Sequence, residues 1–127
     1  MRPFIPIRVT NPATHTSVSI MALVDTGADK CVMPENVVTR TGHNLKGNGV
    51  QIESSMGVMG SSLNCYKHTM IIEIISPDLK KIIWKSKELL INCVEHNNIP
   101  PLLGSADVLR HLNLTFNYRS EELLITI

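Results

Sequence analysis

Hydrophobic residues come in short runs along this chain, many of them alternating with polar residues, and Gly, Pro, Asn or Ser ends nearly every run. That two-residue period belongs to strands with one buried face, and it predicts an all-β fold with few helices. Ile5 to Thr10 and Val18 to Val24 read as a hairpin around Asn11-Pro12-Ala13-Thr14-His15-Thr16, where Asn-Pro is a turn former. Thr69 to Ile75, Lys80 to Lys85 and Glu88 to Val94 supply three more strands, the first two joined through the turn Ser76-Pro77-Asp78-Leu79. Leu114 to Asn117 and Glu122 to Ile127 form a closing pair around Tyr118-Arg119-Ser120-Glu121.

Two segments depart from the strand pattern. Pro34 to Thr41 reads either as one short helical turn, opened by the proline and stopped by Gly42, or as an irregular loop. Ser105 to Leu112 predicts a short helix that Ser105 or Asp107 opens, with Val108, Leu109 and Leu112 on one face. Between the two halves, the stretch from Gln51 to Ser62 is apolar, small and glycine-bearing at its centre, the composition of a flexible hairpin tip.

Composition narrows the picture. The 127 residues, 43% hydrophobic, carry no repeat or linker and predict one domain over 1–127 with a real core. A net charge of +1 from 12 basic and 11 acidic residues offers no electrostatic footprint for nucleic acid or an anionic membrane, so neither is an expected partner. No apolar stretch reaches membrane-span length. The start, Met1-Arg2-Pro3-Phe4-Ile5-Pro6-Ile7, has two prolines where a secretory signal needs a continuous apolar core, and the expectation is a cytoplasmic protein. Cys31, Cys65 and Cys93 are odd in number and widely spaced, as reduced core thiols are. His15, His43, His68, His96 and His111 lack metal-ligand spacing, so no metal or cofactor is expected. Lys80, Lys81, Lys85 and Lys87 read as a solvated strand face and edge protection around Trp84.

The chemistry is concentrated in Ala22-Leu23-Val24-Asp25-Thr26-Gly27-Ala28, an apolar strand running straight into an acid, a hydroxyl and a glycine. Such an order places a carboxylate at the end of a buried strand. Far downstream comes Pro101-Leu102-Leu103-Gly104, two apolar residues and a glycine. Together the two pieces resemble the retropepsin-like aspartic peptidases, in which each chain supplies one Asp-Thr-Gly loop and a later apolar-apolar-Gly strand threads behind it. In its C-terminal run the chain looks more like the cellular and bacterial members than the viral ones.

The resemblance implies a closed β-barrel or sandwich with a flap hairpin and one short helix in the C-terminal half, active as a C2 homodimer on polypeptide substrates. Asp25 then matches the catalytic aspartate, Thr26 the threonine that bonds across the dimer axis, and Gly27 the glycine that lets peptide backbone approach. Ala28 and Asp29 match positions contacting substrate main chain. Gly57, Val58, Met59 and Gly60 fall at the flap tip. Leu23, Val32, Ile99, Pro100 and Leu102 are expected to line apolar substrate pockets. One departure stands out: the family usually places Arg-Asn or Arg-Asp after the last glycine, whereas this chain has Gly104-Ser105-Ala106-Asp107. The arginine that would brace Asp29 is absent.

Two functions follow from this reading. One is an aspartic endopeptidase with paired Asp25 carboxylates. The other is a noncatalytic dimer that binds peptides or mediates assembly through the same cleft. A third reading, Asp25-Thr26-Gly27 as a plain turn in a β domain, assigns no function.

Overall fold

A computed structural model describes residues 3–56, 62–117, 119–120 and 122–127. The first hairpin forms as its alternation requires: β1 (Phe4–Asn11) and β2 (Thr16–Val24) pair antiparallel from Phe4↔Leu23 to Asn11↔Thr16. Ile5, Ile7, Val9 and Asn11 of β1 are buried, with less buried residues between them. Asn11 makes the turn, since its side-chain oxygen accepts the Ala13 N–H and its carbonyl accepts the His15 N–H.

β3 (Val32–Pro34) leads directly into α1 (Glu35–Arg40). The helical alternative for Pro34 to Thr41 is therefore the one adopted. Val37 and Val38 anchor it in the core, and Gly42, at φ +87°, provides the left-handed residue that ends it. β4 (Ile52–Met56) then pairs with the start of β5 (Ser62–Ile75), from Ile52↔Tyr66 to Met56↔Ser62.

β5, fourteen residues long, closes the structure. It begins well before the expected Thr69, because it pairs in turn with β4, with β7 (Leu89–Val94) and with β1. β6 (Ile82–Lys85) is added at its far end. β8 (Leu102–Leu103) lies between β2 and β3, parallel to the first and antiparallel to the second. The strand order β1-β2-β8-β3-β7-β5-β4, with the additional β1–β5 pairing, makes a closed barrel.

Ile7, Val9, Ile72, Ile74, Ile91 and Leu103 fill its interior. Each such side chain removed from water stabilises the fold by about 1.5–3 kcal/mol. Across the β1–β5 seam, Arg8 donates two 2.8 Å bonds to the buried Glu73 carboxylate, which this pairing holds below the usual carboxylate range. The terminal strands β9 (Asn113–Asn117) and β10 (Glu122–Thr126) form the expected closing hairpin, a separate two-stranded sheet. Its Leu114, Phe116, Leu123 and Ile125 pack on the core.

Ser105 to Leu112 corrects the sequence reading. No α-helix forms there; residues 105–108 are turns and only Leu109–His111 make a 3-10 helix. The groups that would have opened a helix are engaged elsewhere. The Ser105 and Ala106 N–H groups donate to the carbonyls of Ala28 and Asp29, and the Asp107 carboxylate accepts the Cys31 N–H. Val108, Leu109 and Leu112 are nonetheless all buried, as their spacing requires.

The lysines at 80, 81, 85 and 87 are exposed, and β6 is an edge strand. Trp84 packs against the core and stacks on His111, with ring centroids 5.2 Å apart. Cys31, Cys65 and Cys93 are buried thiols. Among the described residues no helix is long and apolar enough to cross a membrane.

Candidate active site

The Asp25 loop is held by the strand threaded behind it. The Leu23 N–H donates to the Pro101 carbonyl at 2.8 Å, and the Asp25 N–H donates to the Leu103 carbonyl at 3.1 Å. On its other edge β2 is tied to Pro3 through the Val24 N–H. Asp25 thus leaves the buried end of β2 with its main chain already clamped, and its side chain is half-buried. Beyond it the chain turns sharply: Asp25 Oδ1 accepts the Gly27 N–H at 3.1 Å, and the Asp25 carbonyl accepts the Ala28 N–H at 3.2 Å. Thr26 and Gly27 are exposed on the outside of this turn.

Gly104 shows why β8 must end in glycine. A Cβ there would lie 2.4–2.7 Å from the main-chain atoms of Lys30. Nothing in that contact can give way, because it is backbone against backbone. Gly27 is different, since among the described residues a Cβ on it would meet only Asp25 Oδ1, at an ordinary 3.5 Å.

Two side chains that the sequence reading took for helix openers brace the loop. Ser105 Oγ lies 3.1 Å from both the Thr26 and the Ala28 carbonyl oxygens. Asp107 Oδ2 accepts the Cys31 N–H at 2.9 Å, while its Oδ1 is 4.0 Å from Lys30 Nζ. Where the arginine is missing, a hydroxyl and a carboxylate thus tie the two segments together. The signal for this lay in the departure itself, since Ser105 stands where a cation was expected and a carboxylate, Asp107, follows two residues later. Asp29 is exposed, and its carbonyl receives the Ala106 N–H.

Cys31 is close by but chemically silent. Burial pushes its thiol up to about 12, so it stays protonated and cannot act as a nucleophile at ordinary pH.

Leu23, Leu102 and Val32 stand side by side on one face in the registers Leu23↔Leu102 and Val32↔Leu102, and all three are half-buried. Ile99 and Pro100, also half-buried, lie just before β8. Leu23, Leu102 and Val32 are therefore neighbours on one face, and none of the five is consumed by the core. Gly57, Val58, Met59 and Gly60 lie outside the described residues, although β4 and β5 pair up to Met56↔Ser62 on either side of them. A separate apolar cavity of ≈ 500 Å³, lined by Phe4, Met21, Leu79, Leu123 and Ile125 among others, sits under the terminal hairpin and does not include Asp25.

Residues 1–115 match the sequence profile of the retroviral aspartyl protease family. The chain belongs to that family. The fold is shared with other retropepsin-like proteins of known structure. A retropepsin-like aspartic protease from Rickettsia conorii superposes with a TM-score of 0.63 at 17% identity, over 98% of this chain and 88% of that one. The retroviral protease-like domain of Ddi1 from Leishmania major gives 0.56 at 15% identity, over 98% and 88%. EIAV protease, solved with the inhibitor HBY-793, gives 0.54 at 20% identity, over 87% and 88%. No curated protein matches the chain in sequence. Within this family, the Asp-Thr-Gly loop behind which β8 threads is the place to look for chemistry.

Proposed function

We propose that the chain is an aspartic endopeptidase, one domain per subunit, in which two copies bring their Asp25 carboxylates together on a two-fold axis and activate water against an extended polypeptide. The observation carrying this reading is the placement of Asp25: an acid clamped at the buried end of β2 by β8, in a member of the retroviral aspartyl protease family.

Peptide hydrolysis by carboxylates alone needs two of them. One draws a proton from water as its oxygen attacks the peptide carbonyl, and the other donates a proton to that carbonyl's oxygen. When the tetrahedral species collapses, the C–N bond breaks and a proton passes to the departing amine. Two close carboxylates share one proton because both cannot ionise easily, a pattern known from aspartic proteases. In the segments packed on the loop, Asp107 is committed to Cys31 and Lys30. A second Asp25, from a second copy, is the natural partner, and closed two-fold dimers are the commonest oligomers.

The remaining residues take roles around that pair. Thr26, exposed beside Asp25, bonds across the axis in this reading, and Gly27, exposed and without a side chain, lets main chain approach. Ala28 and Asp29 offer their surroundings to substrate backbone. Leu23, Val32, Leu102, Ile99 and Pro100 form the apolar lining, with alternate side chains of an extended peptide directed at them.

The test is cleavage of a diverse peptide library by the purified protein from acidic to neutral pH, with Asp25→Asn and a transition-state-mimicking aspartic protease inhibitor as controls. Cleavage abolished by both supports the reading. Retention and release of uncut peptides at every pH supports the noncatalytic alternative.

A further inference from the structure

The sheet face beside Asp25 changes character along a single row. The registers Leu23↔Leu102, Leu102↔Val32, Val32↔Asn92 and Asn92↔Lys67 set five side chains from β2, β8, β3, β7 and β5 next to one another on one face. All five are half-buried, while their strand neighbours Ala22, Leu103, Met33, Cys93 and His68 point into the core. The row starts apolar behind the catalytic loop. It ends charged, with Lys67 Nζ 2.9 Å from Glu53 Oε2 of β4.

Asn92 stands at the change. Its Oδ1 is withdrawn from solvent and has no hydrogen-bond partner among the described residues. A buried acceptor without a donor is a standing cost to a fold, and native chains keep few of them. Leucine has the same branched side-chain skeleton as asparagine and would continue the Leu23, Leu102, Val32 row without that cost. An asparagine here calls for a donor that the described residues do not supply.

An extended peptide over Asp25 supplies one. It directs alternate side chains at this face, and Asn92 lies two strand spacings, about 10 Å, from Leu102. The terminal torsion of asparagine is soft, so its oxygen turns to meet a donor at little cost.

We infer that Asn92 is a specificity-determining residue: its carboxamide oxygen accepts a hydrogen bond from an N–H or O–H group on the substrate side chain lying past Val32. The protein then selects polypeptides in which a donor-bearing side chain accompanies an apolar one in the cleft. The inference rests on the reading of this face as the peptide cleft.

The experiment is retention of a randomised peptide library on immobilised Asp25→Asn protein, compared with Asp25→Asn/Asn92→Leu and Asp25→Asn/Asn92→Asp, the retained peptides being sequenced. With Asn92 present, one peptide position is expected to favour Thr over Val and Asn over Leu by about tenfold. Asn92→Leu reverses that preference, and Asn92→Asp moves it toward Lys and Arg. Thermal unfolding of Asn92→Leu is expected at the same or a higher temperature, because the substitution deletes an unsatisfied acceptor. Identical preferences in all three proteins, no retention by any of them, or a fall of several degrees in the unfolding temperature of Asn92→Leu each overturn the inference. Retention is read without cleavage. A protein that selects peptides as described but never cuts them, with Asp25 intact, fails the peptidase reading and still supports Asn92.

Discussion

Two glycines, Gly104 and Gly27, sit in adjoining segments under opposite constraints. A side chain on Gly104 would collide with the Lys30 backbone at 2.4 Å, so the fold itself demands that glycine. A Cβ on Gly27 meets nothing closer than 3.5 Å among the described residues, so their packing leaves that choice free. The first belongs to the packing of β8 behind the loop. The second faces outward, and on the function proposed above its lack of a side chain serves what arrives at that face: a peptide, or a second copy.

The sharpest way to break this contrast is to add one methyl group at each glycine. Gly104→Ala is expected to cost more than about 4 kcal/mol or to prevent folding, because only backbone is available to move. Near-native unfolding of that variant in denaturant would show that β8 is not threaded as described. Gly27→Ala is expected to change stability by less than about 1 kcal/mol. Its cleavage rate, however, should fall by about a hundredfold, the scale on which a misplaced reacting group acts. A fully active Gly27→Ala enzyme would mean that nothing approaches that face during catalysis.

A smaller effect tests the brace between the two segments. Ser105→Ala removes a hydroxyl that holds the Thr26 and Ala28 carbonyls, at an expected cost of about 1 kcal/mol in stability. Acting through the loop, it should lower kcat several-fold with little change in KM, and Ser105→Thr should restore the rate. An unchanged kcat would make Ser105 a structural bond only.

The smallest expected effect concerns pH. Burial holds the His68 imidazole below its ordinary 6.5, with Nε2 against the Leu45 carbonyl at 3.0 Å. The unfolded chain then binds that proton more readily than the folded one. Stability is complete above pH 6.5 and declines as pH falls through the lowered folded value. Glu73, held below its ordinary 4.5 by Arg8, adds a second loss when pH falls below that value. Denaturant midpoints measured from pH 7.5 to 4 should show the decline, and His68→Gln should flatten its upper part.

Local pattern revealed the pieces whose causes are local. The β1–β2 hairpin, the terminal β9–β10 pair and α1 follow from alternation, Asn-Pro chemistry and a Pro-to-Gly frame, and all three lie close to where the sequence put them. Ser105 to Leu112 misled because its helix-opening groups are taken by main chain 76 to 79 residues away. No window of the sequence contains that competition. The early start of β5 was hidden for a similar reason, since Asn64, Lys67 and His68 are polar or charged and become strand only through pairing with β4 and β7. Asp25 and the apolar row behind it were legible through the Asp-Thr-Gly and Leu-Leu-Gly pieces. Asn92 was not, because its interest lies in a missing partner, which only a folded neighbourhood defines.

The central claim is that two Asp25 side chains from two subunits make one active site. It is tested most directly by mixing wild-type and Asp25→Asn proteins, unfolding and refolding them together, and measuring peptide cleavage at fixed total concentration. If both carboxylates are required, only wild-type pairs cut, and an equal mixture retains about one quarter of the wild-type rate. A rate of about one half, falling linearly with the wild-type fraction, would mean that each chain works alone and would contradict the account.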